Sequence, residues 1–369
     1  MNLKGDYSTL KNKLKLNFEF SDFIVSDFLG YNDETKFYID VPIDGKIKSE
    51  IDFAQIIDNK ENVLDYIDNI VENIGFEVKG GGGKIIFNKD ERFNYAIDSF
   101  ILEGNITGGL DSITIKNADF ETAGQKTRLG LDVSGYKKYF FENSLKDLKI
   151  IFTSQINEFE LVDLSKFWPR YLAEPAWQWC KDNLIGGQAK NGKFVFKFNY
   201  DEDKNKLYMS SLDGIADLID GDLTYLEGMP VVNHVYGVAK FNNSSIDIYI
   251  DKGVSDGVMV NKGRVLLYDL NTDHNYIDIQ INGNSTVSDA LKFIDNPPLE
   301  FASSMGVNPE NVFGDVDIEL GLNFELHRAL TPQEIKVDVK ANLKDVRIEN
   351  IADKKDLTAD NLNVEVNSK

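Results

Sequence analysis

Residues 316–326 read VDIELGLNFEL, and residues 335–344 read IKVDVKANLK. In the first run Val316, Ile318, Leu320, Leu322, Phe324 and Leu326 alternate with Asp317, Glu319, Gly321, Asn323 and Glu325. In the second, Ile335, Val337, Val339, Ala341 and Leu343 alternate with Lys336, Asp338, Lys340, Asn342 and Lys344. Successive side chains of a strand point to opposite faces, so a period of two makes one apolar face and one wet face. The two runs predict a long antiparallel pair joined by a 327–334 loop, in a sheet with one face in water.

The same period recurs outward from this pair. Phe194, Phe196, Phe198 and Tyr200 oppose Val195, Lys197 and Asn199. Leu14, Leu16, Phe18 and Phe20 alternate near the start, and Leu362, Val364 and Val366 near the end. Strands are predicted over most of 13–53, 76–163 and 193–283. Asp213-Gly214, Asp220-Gly221, Asn242-Asn243, Lys252-Gly253, Asp256-Gly257, Lys262-Gly263 and Asn282-Gly283 read as turns between them. Gly80 to Gly83 read as a hairpin-like connection, because no helix or GK[ST] follows to make a phosphate cradle. About twenty strands spaced ~4.8 Å apart make a sheet on the order of 90 Å wide, beyond what stays flat and open. Such a sheet must close, fold into a sandwich, or curl into a trough that holds something else.

Three helices interrupt the strands. Val63, Leu64, Ile67, Ile70, Val71 and Ile74 form one stripe of a helix over 59–74. A second is predicted over 166–185, where Pro169 and Pro175 suit first turns and Gly186-Gly187 a stop. It carries Trp168, Trp177 and Trp179, read as packing residues, although exposed tryptophans also stack sugars. The third, over 286–295, has Val287, Ala290, Leu291 and Ile294 as its stripe and Pro297-Pro298 as its end. These helices offer too few apolar residues to cover the whole greasy face.

Composition narrows the function classes. The 369 residues carry a net charge of −21, which argues against nucleic acid or an anionic membrane surface as the main partner. No run of apolar residues is long enough for a membrane helix. Cys180, the one cysteine, permits neither an internal disulfide nor a cysteine zinc site, and its place between Trp179 and Lys181 suits burial. His234, His274 and His327 lack metal-ligand spacing, and HExxH, GxSxG and Walker motifs are absent. Asp315-x-Asp317-x-Glu319 would stand in a row on a wet strand face, without the enclosing loop calcium needs. The reading is of a non-enzyme that needs no cofactor and no metal. The apolar trough residues are expected to be Phe194, Phe196 and Phe198, then Ile246, Ile248, Ile277, Ile279 and Ile281, then Ile318, Leu320, Leu322 and Phe324, with Ile335, Val337 and Val339 opposite.

Several pieces, in order, resemble the YhdP-type branch of the AsmA-like proteins of Gram-negative bacteria. They are LxxFWPxxLAEPAWQWxxxNLxxG at Leu164–Gly187, DLTYLEGMPVVNHVYGVAKFNNSSIDIYIDKGVSDGV at Asp222–Val258, DALKFIDNPPL at 289–299, and the VxGDVDIELGLNFEL strand from Val312. The match is strongest over about 160–345. The resemblance implies a mostly β chain: a long curled antiparallel sheet, a repeating β-groove that is continuous over 1–369. Within it, 1–163 would hold N-terminal strands and the 59–74 helix, and 164–369 the YhdP-like segment. It implies a periplasmic protein, anchored to the inner membrane through a segment this chain does not contain. There it would shield phospholipid acyl chains on their way to the outer membrane, with envelope proteins of both membranes as partners. Two other readings stand beside it: a structural or assembly protein of the envelope that holds outer-membrane or secreted β-proteins by its strand edges, as proposed for the TamB relatives, and a closed β-sandwich or barrel that binds carbohydrate. An apolar face accessible along its length marks the trough, and a face buried against a second sheet marks the sandwich.

Overall fold

The computed structural model describes residues 1–24, 26–27, 37–52, 71–87, 94–122, 124–167, 174–297, 299–304, 306–326, 331–352 and 355–367. The chain is mostly β, with 18 strands in one antiparallel sheet among the described residues. It divides into two compact units, residues 1–157 with 193–212 and residues 158–192 with 213–369.

The first unit contains β1 (Asn2–Ser8), β2 (Lys13–Ile24), β3 (Phe37–Asp40), β4 (Pro42–Asp52), β5 (Val71–Phe87), β6 (Asn94–Thr107), β7 (Ser112–Thr122) and β8 (Gln125–Ser134). A short helix, α1 (Lys137–Glu142), follows. Then β9 (Lys149–Glu160), β10 (Leu184–Asp201) and β11 (Lys206–Leu223) contribute residues to both units. β1 pairs with β2, β2 with β4, β3 and β4 with β5, and from β5 to β9 each strand pairs with the next.

The second unit continues with α2 (Leu164–Phe167) and α3 (Glu174–Asn183). Its strands are β12 (Val232–Asn242), β13 (Ile246–Ser255), β14 (Val258–Tyr268), β15 (Tyr276–Thr286), β16 (Val312–Glu325), β17 (Lys336–Ala352) and β18 (Lys355–Asn367). Each strand from β11 onward pairs with the next. Between β15 and β16 lie α4 (Val287–Ile294) and α5 (Phe301–Ser304). Thr286 caps α4 by accepting from the Asp289 amide at 3.1 Å, and its own hydroxyl donates to the Asp289 carboxylate at 2.8 Å. This satisfies orphan groups at the helix start.

Several expectations are corrected. Val71–Ile74, expected to end a helix, begin β5, and residues 59–70 lie outside the described residues. Of the expected 166–185 helix the described residues show α2 and α3, residues 168–173 lie outside them, and Leu184 and Ile185 already belong to β10. Glycines read as turns lie inside strands: Gly80–Gly83 in β5, Gly214 and Gly221 in β11, Gly253 in β13, Gly263 in β14 and Gly283 in β15. Space explains several of them. A Cβ on Gly83 would sit 2.0 Å from the Asp40 carbonyl oxygen, and one on Gly283 2.5 Å from that of Met259. Glycine here permits close approach of neighbouring backbone rather than a chain reversal. Asn242-Asn243 and Asp256-Gly257 do reverse the chain, and Gly257 takes a φ of +81°.

Packing distinguishes the two units. In the second, Leu267, Ile277, Ile279, Leu322, Phe324 and Val337 form one buried cluster with Phe293 of α4, Leu299, and Leu226 and Met229 of the β11–β12 connection. In the first, the fully buried apolar side chains among the described residues are few, Val41, Ile97 and Ala118 among them. Leu322→Ala is therefore expected to cost ~2–5 kcal/mol, and Leu362→Ala, at an exposed strand, about 0.5 kcal/mol or less. Urea unfolding followed by tryptophan fluorescence checks both, since Trp179 packs against the Leu322 cluster.

Candidate functional site

The registers stack apolar residues into rows that cross the strands. In the first unit Phe18 faces Ile47, Ile47 faces Phe76, and Phe76 faces Gly104. Gly104 faces Ile115, Ile115 faces Leu131, and Leu131 faces Phe152. The Phe152 ring then lies 5.8 Å from that of Phe196 on β10, and Phe194 stacks on Phe196 at 6.3 Å. A neighbouring row runs through Leu16, Ser49, Ile74, Ile106, Ile113, Val133 and Ile150. Directly opposed residues share a face, so these rows form one apolar surface. Its large side chains are half-buried, neither covered nor free.

Glycines shape this surface. A Cβ on Gly104 would meet Phe76 Cζ at 2.4 Å, and one on Gly45 would meet Phe20 Cζ at 2.3 Å. Each ring therefore lies down over the glycine of the next strand, which compensates for the missing side chain. The other face is charged: Lys46 faces Glu77, Glu77 faces Glu103, and Arg128 pairs with Asp119 at 2.7 Å.

The second unit repeats the pattern with a cover. Val337, Leu322, Ile279, Val265, Ile248 and Ala239 make one row. Val366, Val339, Leu320, Ile281, Gly263 and Ile250 make the next. Phe324, Ile277, Leu267, Ile246 and Phe241 make a third. Ile246, Ile277, Ile279, Leu322, Phe324, Ile335 and Val337 are buried. Ile248, Ile281, Ile318, Leu320 and Val339 are half-buried. Along the far ends of β16 and β17, Val287, Ala290 and Leu291 of α4 cover Val316 and Leu343.

The sequence-predicted trough residues thus divide. Phe194, Phe196 and Phe198 are half-buried on the first unit's stretch of β10. The rest share the second unit's apolar face, many of them inside a closed core. The first unit's row through Ile47, Phe76, Ile115, Leu131 and Phe152 went unnamed at the sequence level, although period-two alternation marks it too. The covering residues Leu226, Met229 and Leu299 sit in connections with no periodicity to reveal them. Of the tryptophans, Trp179 packs against the core cluster. Trp177 donates its Nε1–H to the Ser165 carbonyl at 2.9 Å, with Lys181 5.1 Å above its ring. Trp168 and His327 lie outside the described residues. Cys180 is buried, and burial pushes its thiol up to about 12, which makes it unreactive.

Polar clusters on the wet face are cross-strand pairs. Asp317, a member of the acidic row on β16, accepts from Lys344 at 2.7 Å. Asp247 accepts both Arg264 donors, at 2.7 and 3.0 Å, which hold its carboxyl below the usual range. No group of three metal-ligating side chains occurs among the described residues. None of their helices is long and apolar enough to cross a membrane.

A family model described as YhdP protein matches residues 105–369, well over half of the chain. The chain belongs to the YhdP family. That match covers β7 to β18 and includes every segment of the resemblance read from the sequence. YhdP proteins are envelope-associated and are not a known enzyme family. No curated protein and no solved structure matches this YhdP-family chain.

Two histidines give a titration test of the wet face. His274 Nδ1 lies 2.6 Å from Glu325 Oε1, and His234 Nδ1 lies 2.8 Å from Asp220 Oδ1. Each hydrogen bond to a carboxylate raises the imidazole above its ordinary pKa. A raised folded-state pKa means that each pair contributes fully below about 6.5 and fades as pH rises through the raised value. NMR titration should give both histidines raised midpoints, and Glu325→Gln should lower the midpoint of His274 alone.

Proposed function

We infer that the chain is a non-enzymatic module for phospholipid transfer in the periplasm, where its apolar sheet faces shield acyl chains between the inner and outer membranes. The observation that carries this reading is the row from Phe18 through Phe76 and Leu131 to Phe152 and Phe196, apolar across successive strands and only half-buried. Soluble proteins rarely leave large apolar patches exposed unless something occupies them. An acyl chain suits this one. Each CH₂ removed from water is worth about 0.8 kcal/mol, so a sixteen-carbon chain gains roughly 12 kcal/mol from full shielding. Hydrogen bonding is not needed for that gain, which is in keeping with a face of aliphatic and phenyl groups. The head group stays in water at the rim.

In this reading the first unit's face, with Phe194, Phe196 and Phe198, receives the chains most readily. In the second unit the half-buried Ile248, Ile281, Ile318, Leu320 and Val339 form a lipid-facing surface of that unit's own. Ile246, Ile277, Ile279, Leu322, Phe324, Ile335 and Val337 form the packed floor beneath the helices. Membership of the YhdP family supports the envelope setting.

Photoreactive residues test the assignment. The full chain, incubated with phospholipid vesicles, should give lipid adducts from positions 76, 131 and 320 and few from their wet-face neighbours 77, 132 and 319. Equal yields from the two faces, or none from either, would contradict it.

A further inference from the structure

The β8–β9 connection reads GYKKYFFENSLKDLK over residues 135–149. Its apex is α1, where Phe140 is 73% and Tyr139 49% exposed. The Phe140 ring meets Tyr136 at 6.4 Å and Tyr139 at 6.0 Å, edge-on in both cases. Hydrogen bonds and an ion pair fix the connection in place. The Lys137 amide donates to the Asp111 carboxylate at 2.6 Å, and the Gly135 amide to the Asp111 carbonyl at 3.2 Å. Lys138 pairs with Asp147 at 2.5 Å. Asn143, at a φ of 51°, closes α1 by donating its amide to the Tyr139 carbonyl at 3.1 Å. One exposed phenyl is ordinary. Here a built helix holds phenyl and phenol rings out in water together.

Charge says what the apex meets. Residues 135–149 carry Lys137, Lys138, Lys146 and Lys149 against Glu142 and Asp147, a net +2 in a chain of −21. The adjoining β10–β11 connection is acidic, but Glu202 accepts from the Ser144 hydroxyl and Asp201 pairs with Lys204 at 3.1 Å. Salt screens charges beyond ~8 Å at physiological ionic strength, so at contact the local sign outweighs the chain's total. Aromatic rings beside lysines suit the boundary of a bilayer, where rings enter the head-group layer and ammonium groups stay with phosphates. The antiparallel pairings place the β1–β2 connection at the same end of this unit's strands. There Leu10 is 98% exposed and Lys11 follows it.

We propose that this end of the first unit docks on the surface of a phospholipid bilayer that contains anionic lipid. Phe140 and Tyr139 enter the head-group layer, and the exposed Lys146 and Lys149 meet its phosphates. This docking uses none of the residues of the apolar rows, so it stands or falls apart from their shielding of acyl chains.

Flotation of the full chain with vesicles tests it. The chain should float with vesicles of phosphatidylcholine mixed with phosphatidylglycerol, more than with phosphatidylcholine alone. Phe140→Ser should weaken that association about ten-fold. Lys146→Glu with Lys149→Glu should remove the preference for the anionic vesicles, and circular dichroism should stay unchanged in both variants. Cys180 is buried, so a cysteine introduced by Glu142→Cys takes a polarity-sensitive label. Its emission should shift to the blue with anionic vesicles, and that of a label at Lys126→Cys, towards the other end of β8, should not. Flotation indifferent to Phe140 and the lysines, equal shifts from both labels, or no flotation with either vesicle would overturn the proposal. Lipid adducts from position 76 would still report on the apolar rows.

Discussion

Cross-strand register is the constraint on which everything else here depends. Because the side-chain period of a strand is two, a slip of one residue would carry every apolar side chain to the wet face. Phe76 opposite Ile47, and Leu322 opposite Ile279, are therefore the fold itself as much as contacts within it. Charges on the other face reinforce the same alignment, with Arg128 on Asp119 in one unit and Arg264 on Asp247 in the other. Such pairs on an exposed face add little stability. Their role is to penalise the alternatives.

One pattern then serves two ends. Where α4 and the Leu226–Met229 connection lie over the rows, the apolar face becomes an ordinary core, and Ile277 is 0% exposed. Where the rows are half-buried across β2 and β4 to β9, the same chemistry leaves a surface that water wets unfavourably and an acyl chain would not. Cover, rather than composition, separates a closed core from a half-buried apolar face in this protein. The glycines support that economy: beneath Phe76 and Phe20 they let a ring lie flat, so a face with few side chains per strand stays continuous.

Alternation alone discloses most of the strands, the pairing of 316–326 with 335–344, and which face is apolar. The helix at 287–294 was legible because its apolar stripe and the Pro297-Pro298 stop lie close together in the chain. Strand boundaries were harder, since a glycine that permits close backbone approach has the same letter as one that permits a turn. Gly263 and Gly283 show the confusion. Val71–Ile74 show another: an apolar residue spacing fits a helix until pairing with β4 decides for a strand. The half-buried apolar face was legible as alternation, but which stretch of it lies under a cover was not. Burial of Leu322 and half-burial of Leu131 depend on what packs above them, and no periodicity encodes that.

The claim that the apolar faces of this YhdP-family chain hold acyl chains is tested most directly by native mass spectrometry of the full chain purified without detergent. The account predicts species heavier by the mass of phospholipid, lost on delipidation and restored by incubation with vesicles. A chain that flies bare as purified, and takes up no phospholipid afterwards, would contradict it.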